Sequence, residues 1–231
     1  MKILGVIPAR GGSKRIPGKN IKDFCGLPLI AWTIQTALQA DFGPVVVSSD
    51  SDDINAVAIK HSAVVPFKRS AELAQDTSDV ASAILELVTF YEERGEFYDA
   101  ILLLQPTSPF RSVSSIHRAI ALFKDANGES VISVSPACVR PQWLKFVDQA
   151  GVLLAYDSEF DASLQSQQLP SVFQLNGLIY LSSVKNLKEK KSFYSAQPRA
   201  LEIYSGKEAM DIDTPFDWKL AEAMVSIGEE L

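Results

Sequence analysis

Short apolar runs alternate with longer segments of helical period along most of the chain. Residues 2–7 (KILGVI), 45–48 and 100–104 (AILLL) are too short for buried helices and predict strands, as do 130–134 and 177–181. Between them, apolar positions recur at helical spacing over 28–39, 52–60, 80–94 and 112–124. The clearest helix is 80–94, with Ala81, Ile84, Leu85, Val88 and Tyr91 on one face. Asp76, Thr77 and Ser78 offer N-caps before it and Gly95 follows it. Asp213 or Thr214 is set to cap a last helix whose first turn holds Pro215. Strand, helix and strand in this order predict right-handed βαβ units and a mainly parallel sheet, with helices on both faces.

The regularity weakens after Pro136. Residues 136–175 carry short alternating pieces around 143–147 and 152–155 and a polar stretch, DSEFDASLQSQQ. They predict an inserted hairpin arm within a single domain spanning 1–231, and the arm is where subunit contacts in a homodimer are expected. Composition narrows the function. The chain has 231 residues, with 22 Lys plus Arg against 28 Asp plus Glu, for a net charge of -6. An acidic chain of this kind is a poor match for nucleic acid or anionic membrane. Cys25 and Cys138 cannot form a cysteine zinc site and are assigned structural roles; His61 and His117 offer no histidine cluster and are assigned no chemistry. No run approaches the roughly 20 apolar residues of a membrane-spanning helix, and a cytoplasmic, soluble protein is the expectation.

Chemistry concentrates after the first strand, in Pro8-Ala9-Arg10-Gly11-Gly12-Ser13-Lys14-Arg15-Ile16-Pro17-Gly18-Lys19-Asn20. Arg10, Lys14, Arg15, Lys19 and Lys22 gather in one short stretch of an otherwise acidic protein. In an open parallel sheet this loop lies beyond the carboxyl ends of the strands, where ligands bind. Gly11 and Gly12 let backbone N–H groups approach an anion, and solvated cations neutralise its charge, so the loop reads as a polyphosphate cradle. It is not a Walker loop: five residues separate Gly12 from Gly18-Lys19, and Asn20 replaces the magnesium-binding hydroxyl.

The same residues resemble the signature loop of the acylneuraminate cytidylyltransferases. Further segments match that family in order: Val47-Ser48-Ser49-Asp50, the stretch from Arg69 to Ser78, Leu104-Gln105-Pro106-Thr107-Ser108-Pro109-Phe110-Arg111, Asn176-Gly177-Leu178-Ile179-Tyr180, and Asp211-Ile212-Asp213-Thr214. The resemblance runs from Lys2 to about Ala223. It implies a Rossmann-like fold of the nucleotide-diphospho-sugar transferase type with a dimerisation arm. It also implies transfer of CMP from CTP to the anomeric hydroxyl of an acidic nine-carbon 2-keto sugar, with release of pyrophosphate. N-acetylneuraminate is the default acceptor, with legionaminate and then pseudaminate as alternatives. An octulosonate cytidylyltransferase and a non-catalytic nucleotide sensor are the competing readings.

By this resemblance Arg10 and Lys19 contact the phosphates, assisted by the backbone of Gly11, Gly12 and Ser13, while Asn20, Arg69, Ser78 and Gln105 hold the nucleotide. Gln105, Arg111, Lys145 and Gln168 fall on the sugar side, where Gln105 and Arg111 have a loop-stabilising role as the alternative. Lys145 would reach the neighbouring subunit's sugar carboxylate, with a solvated surface lysine as the alternative. Asp211 and Asp213 stand two apart, so on an extended segment both carboxylates face one side and suit Mg²⁺, which prefers oxygen ligands. Helix capping is the alternative for Asp213. One departure concerns the arm, where Ser166 stands at the place of a family arginine.

Overall fold

The computed structural model describes residues 1–74, 79–156 and 171–227. In chain order they form β1 (Ile3–Pro8), a small hairpin of β2 (Asp23–Phe24) and β3 (Leu27–Pro28), α1 (Leu29–Gln39), β4 (Val45–Ser48), α2 (Asp52–Lys60), α3 (Val80–Glu92), β5 (Ala100–Leu103), α4 (Val113–Asp125) and β6 (Val131–Pro136). There follow β7 (Lys145–Val147), β8 (Leu153–Ala155), β9 (Phe173–Ser183), α5 (Val184–Lys190), β10 (Arg199–Glu202) and α6 (Pro215–Ser226). The central sheet has the order β10-β6-β9-β5-β1-β4. Strands β4, β1 and β5 run parallel, β10 and β6 run parallel to each other, and β9 lies antiparallel between β5 and β6.

Period-two alternation explains why both faces are covered. Ile3 and Ile7 of β1, with Ala100 and Leu102 of β5, pack under α1, α2 and α4. Leu4, Val6, Ile101 and Leu103 point to the other face, against Ile84, Leu87 and Val88 of α3 and Leu187 of α5. These strands are apolar at every position because neither face meets water. Gly5 has no side chain because Phe42 fills its place: a Cβ there would lie 2.7 Å from the Phe42 ring.

One cap assignment is corrected and another is decided between its two alternatives. Helix α3 is capped by Asp79, which accepts from the Ala81 N–H at 3.1 Å; residues 76–78 lie outside the described residues. Helix α6 is capped by Thr214 in a full capping box with Asp217, so Asp213 does not cap it. The sheet is also less uniformly parallel than a chain of βαβ units would make it. β9 begins inside the expected arm and pairs Phe173, Gln174 and Leu175 with Pro136, Ser135 and Val134. The stem of the arm therefore continues two sheet strands, and β7 and β8 form its hairpin.

Candidate active site

The loops after β1, β4 and β5 meet the extended segment before α6 at the carboxyl end of the parallel strands, the usual ligand position of such sheets. They enclose two adjoining cavities of about 350 and 230 Å³ that share Arg10, Ser13 and Lys19. The larger is bounded further by Asn20, Arg69 and Gln105, the smaller by Arg15 and Asp213.

The cation-rich loop owes its shape to a few residues. Gly18 takes φ 64° and its carbonyl accepts from the Ile21 and Lys22 N–H groups, starting the short 3₁₀ turn Lys19–Ile21. Ile16 is buried with Phe24, Leu29, Ile212 and Trp218, which fastens the loop to α1 and α6. Gly11 approaches the loop after β4, where a Cβ would lie 3.1 Å from Ser51. Its N–H donates to the Asp50 carboxylate at 3.0 Å, and the Ser13 N–H donates to the Gly11 carbonyl at 3.1 Å. Two amides expected to face an anion are thus engaged within the protein, and cationic side chains form the cavity wall instead.

Ile212 makes the carboxylate pair. Its side chain is buried against Ile16 and its N–H donates to the Thr107 carbonyl at 2.8 Å, so alternation turns Asp211 and Asp213 together away from that core. Lys19 Nζ donates to the Ile212 carbonyl at 2.8 Å and to Asp213 Oδ1 at 3.1 Å, while Arg15 donates to Asp213 Oδ2 at 3.1 Å. The Lys19 side chain is only 12% exposed. It is therefore a tether of the Asp211–Asp213 segment as well as a charge, not the solvated loop cation the sequence suggests. Asp211 Oδ1 is buried with no hydrogen-bond partner among the described residues. Burial pushes the Asp211 carboxyl above its ordinary value, and neighbouring Asp213 pushes the same way, while Thr107 and Lys19 pull it down.

Of the other expected residues, Asn20 borders the cavity but its Nδ2 donates to the Arg10 carbonyl at 3.0 Å, so it shapes the loop. Arg69 is buried on the cavity wall, donates to the Ser48 carbonyl at 2.9 Å, and leaves Nε without a partner among the described residues. Gln105 also borders the cavity, and its Oε1 would lie 3.2 Å from a Cβ on Gly177. Arg111 is built into the protein beneath the loop rather than into the cavity wall. It is 3% exposed, bounds neither cavity of the cleft, and donates to the Leu178 carbonyl, the Gln105 carbonyl and Thr33 Oγ1. Burial lowers its pKa to about 9, still charged at neutral pH, and it acts as a clamp under the β5 loop. Lys145 is exposed on β7, away from both cavities. Ser78 and Gln168 lie outside the described residues, as does Ser166. Both cysteines are exposed thiols rather than buried structural ones.

Sequence reasoning passed over Arg15 as an individual and Asp50 as a loop brace. Near the site, Tyr180 packs on buried Phe193 with ring centroids 6.0 Å apart, and it is close enough to Asp211 to feel its charge. The sequence signal for Tyr180 was present in the Asn176–Tyr180 segment; nothing comparable marked Phe193.

The family model for cytidylyltransferases matches residues 4–214. The chain belongs to the cytidylyltransferase family. It is 44% identical over 231 residues, 100% of this chain and 99% of the relative, to a CMP-N,N'-diacetyllegionaminic acid synthase of Legionella pneumophila. It is 31% identical over 222 residues to an N-acylneuraminate cytidylyltransferase of Escherichia coli O18:K1:H7, covering 95% of this chain and 51% of that one. These relatives bear out the resemblance to the acylneuraminate branch of the family. Among solved structures, a CMP-2-keto-3-deoxy-manno-octonic acid synthetase complexed with CTP has a TM-score of 0.74 at 17% identity, covering 98% of this chain and 99% of that one. This cytidylyltransferase thus has the nucleotide-diphospho-sugar transferase fold expected of it. No helix among the described residues is long and apolar enough to cross a membrane.

Proposed function

We propose that the chain, as one cytidylyltransferase domain with an inserted arm, transfers CMP from CTP to the anomeric hydroxyl of an acidic nine-carbon 2-keto sugar and releases pyrophosphate in the cytoplasm. The observation that carries the reading is the pair of adjoining cavities that share Arg10 and Lys19, with the Asp213 carboxylate at one end. The hydroxyl oxygen attacks the α-phosphorus as its proton passes to solvent, the bond to the bridging oxygen breaks, and pyrophosphate leaves. Arg10, Lys19 and Arg15 supply positive charge where the triphosphate and leaving group carry negative charge. Arg69, Gln105 and Asn20 bound the larger cavity, which would take the nucleoside.

Asp211 and Asp213 would hold Mg²⁺. The fit rests on a buried carboxylate oxygen without a partner and a second carboxylate on the same side of an extended segment, both hard oxygen donors. No group of three or more His, Cys, Asp or Glu side chains among the described residues could hold a metal, so phosphate and water oxygens would complete the shell. The ion would polarise the α-phosphate or lower the pKa of the acceptor hydroxyl. A homodimer joined through the arm, with Lys145 reaching the partner's sugar, belongs to the same proposal.

For the acceptor, full-length identity of 44% to a diacetyllegionaminic acid synthase ranks a legionaminate-type sugar ahead of N-acetylneuraminate. A pyrophosphate-release assay with CTP and a panel of legionaminate, neuraminate and pseudaminate derivatives tests both levels. The expected result is the highest kcat/KM for the diacetylated legionaminate. A higher value for N-acetylneuraminate reverses the ranking, and CTP binding with no turnover on any acceptor sinks the enzyme reading in favour of a sensor.

A further inference from the structure

Both oxygens of Asp213 are already taken by cations. Oδ1 accepts from Lys19 at 3.1 Å and Oδ2 from Arg15 at 3.1 Å, and both cations come from the loop that walls the triphosphate cavities. Asp211 is different: its buried Oδ1 has no partner among the described residues. A divalent ion bound between the two carboxylates meets no cation at Asp211, only the neutral Thr107 hydroxyl beside it, but must displace a cation from Asp213. Arg15 is the one placed to leave. Its side chain is 66% exposed and, among the described residues, is held by Asp213 alone, whereas Lys19 is 12% exposed and also held by the Ile212 carbonyl.

Resting on the metal reading above, we propose that Arg15 is a positioning residue that keeps Asp213 from the metal until the triphosphate draws the guanidinium away. Arginine suits such an exchange because its planar fork fits a phosphate as well as a carboxylate. In the exchange no charge is left bare: Arg15 passes from Asp213 to the phosphates, and the divalent ion takes its place on the carboxylate. The metal alone then binds weakly, and nucleotide and metal favour one another. By linkage each raises the affinity of the other by the same factor. An ion pair as exposed as Arg15–Asp213 contributes up to about 1 kcal/mol, which corresponds to about two- to fivefold in affinity.

The test reads metal binding without turnover. Mn²⁺ is titrated into the full-length protein in the absence of nucleotide, with free Mn²⁺ followed by electron paramagnetic resonance. Arg15→Gln is expected to bind Mn²⁺ about two- to fivefold tighter than wild type. Asp213→Asn is expected to lose most of the affinity. Lys22→Gln removes an equal charge from the same loop, but its ammonium lies over the Trp218 ring, 4.6 Å from the centroid; its affinity should stay at the wild-type value. Unchanged or weaker Mn²⁺ binding in Arg15→Gln, with loss in Asp213→Asn, overturns the role of Arg15 and leaves the metal site standing. An equal gain in Lys22→Gln reduces the effect to net charge and also overturns it. Wild-type binding in Asp213→Asn overturns the metal site and the inference together.

Discussion

Asp211 is held in a position that costs the fold something. A carboxylate whose buried oxygen has no partner carries an unpaid desolvation of about 1–3 kcal/mol, and neighbouring Asp213 adds repulsion. Asp211→Asn is therefore expected to raise the melting temperature by a few degrees, on the order of 2–4 °C per kcal/mol at this chain length, while most pyrophosphate release is lost. A lower melting temperature by calorimetry, or wild-type turnover, would contradict the placement. Gly177 is a second residue-scale constraint. At φ 72° it occupies backbone space that suits glycine, and a Cβ would press to 3.2 Å from Gln105 Oε1. Gly177→Ala should thus weaken CTP binding by displacing the Gln105 carboxamide, measured by calorimetric titration, besides costing about 1 kcal/mol or more of stability. Unchanged CTP affinity in that variant would free Gln105 from this dependence.

At the scale of elements, α6 separates two roles that adjacent residues could have shared. Thr214 accepts from the Asp217 N–H at 3.2 Å, and Asp217 accepts from the Thr214 N–H at 2.7 Å, so capping rests on this pair. Thr214→Ala should cost about 1 kcal/mol of stability. Asp213→Asn should leave the helix and the melting temperature near wild type and abolish magnesium-dependent turnover; a fall equal to that of Thr214→Ala would mean that Asp213 supports the helix after all. The elements that were legible in sequence are those with strong local patterning or a clear cap: β1, β4, β5, β6, helices α1 to α4 and the start of α6, with α2 found to the residue. What was not legible depends on distant partners. The direction of β9 is set by pairing with β5 and β6, not by its own residues. Its bulge around Asn176 and Gly177 is held by Ser133, whose hydroxyl donates to Asn176 Oδ1 and accepts from the Ile179 N–H at 2.7 Å. The short α5 and β10 carry too few periodic positions to announce themselves. The carboxylate pair was readable because alternation is local, whereas the fate of Arg111 was not, since nothing in Pro109-Phe110-Arg111 signals that its guanidinium meets the carbonyl of Leu178.

The whole molecule leaves an apolar surface on the arm without cover among the described residues. On the arm, Phe146 and Leu154 pair on one face of the β7–β8 hairpin, and Val147 pairs with Leu153 on the other. Val147 is 66% and Leu153 68% exposed, and Trp143, Tyr156 and Leu175 are exposed nearby. A two-stranded hairpin is marginal in water by itself, and contiguous apolar patches of this kind mark contact surfaces. A two-fold axis would let each arm cover the other protomer with the same surface, which is how most homodimers are built. Wild-type protein is expected to run as a dimer by multi-angle light scattering at assay concentration. Val147→Lys combined with Leu153→Glu replaces an apolar cross-strand pair by an opposite-charge one, so the hairpin keeps its pairing while the apolar face is lost. That variant should be a monomer with its sheet core intact, seen as unchanged far-ultraviolet circular dichroism. CTP binding should persist, because Arg10, Lys19, Arg69 and Gln105 all come from one chain. Turnover should fall, because Lys145 would no longer reach a partner's sugar. A wild-type monomer would remove the arm interface altogether, and a monomeric variant with full turnover would keep the interface but take Lys145 out of the reaction.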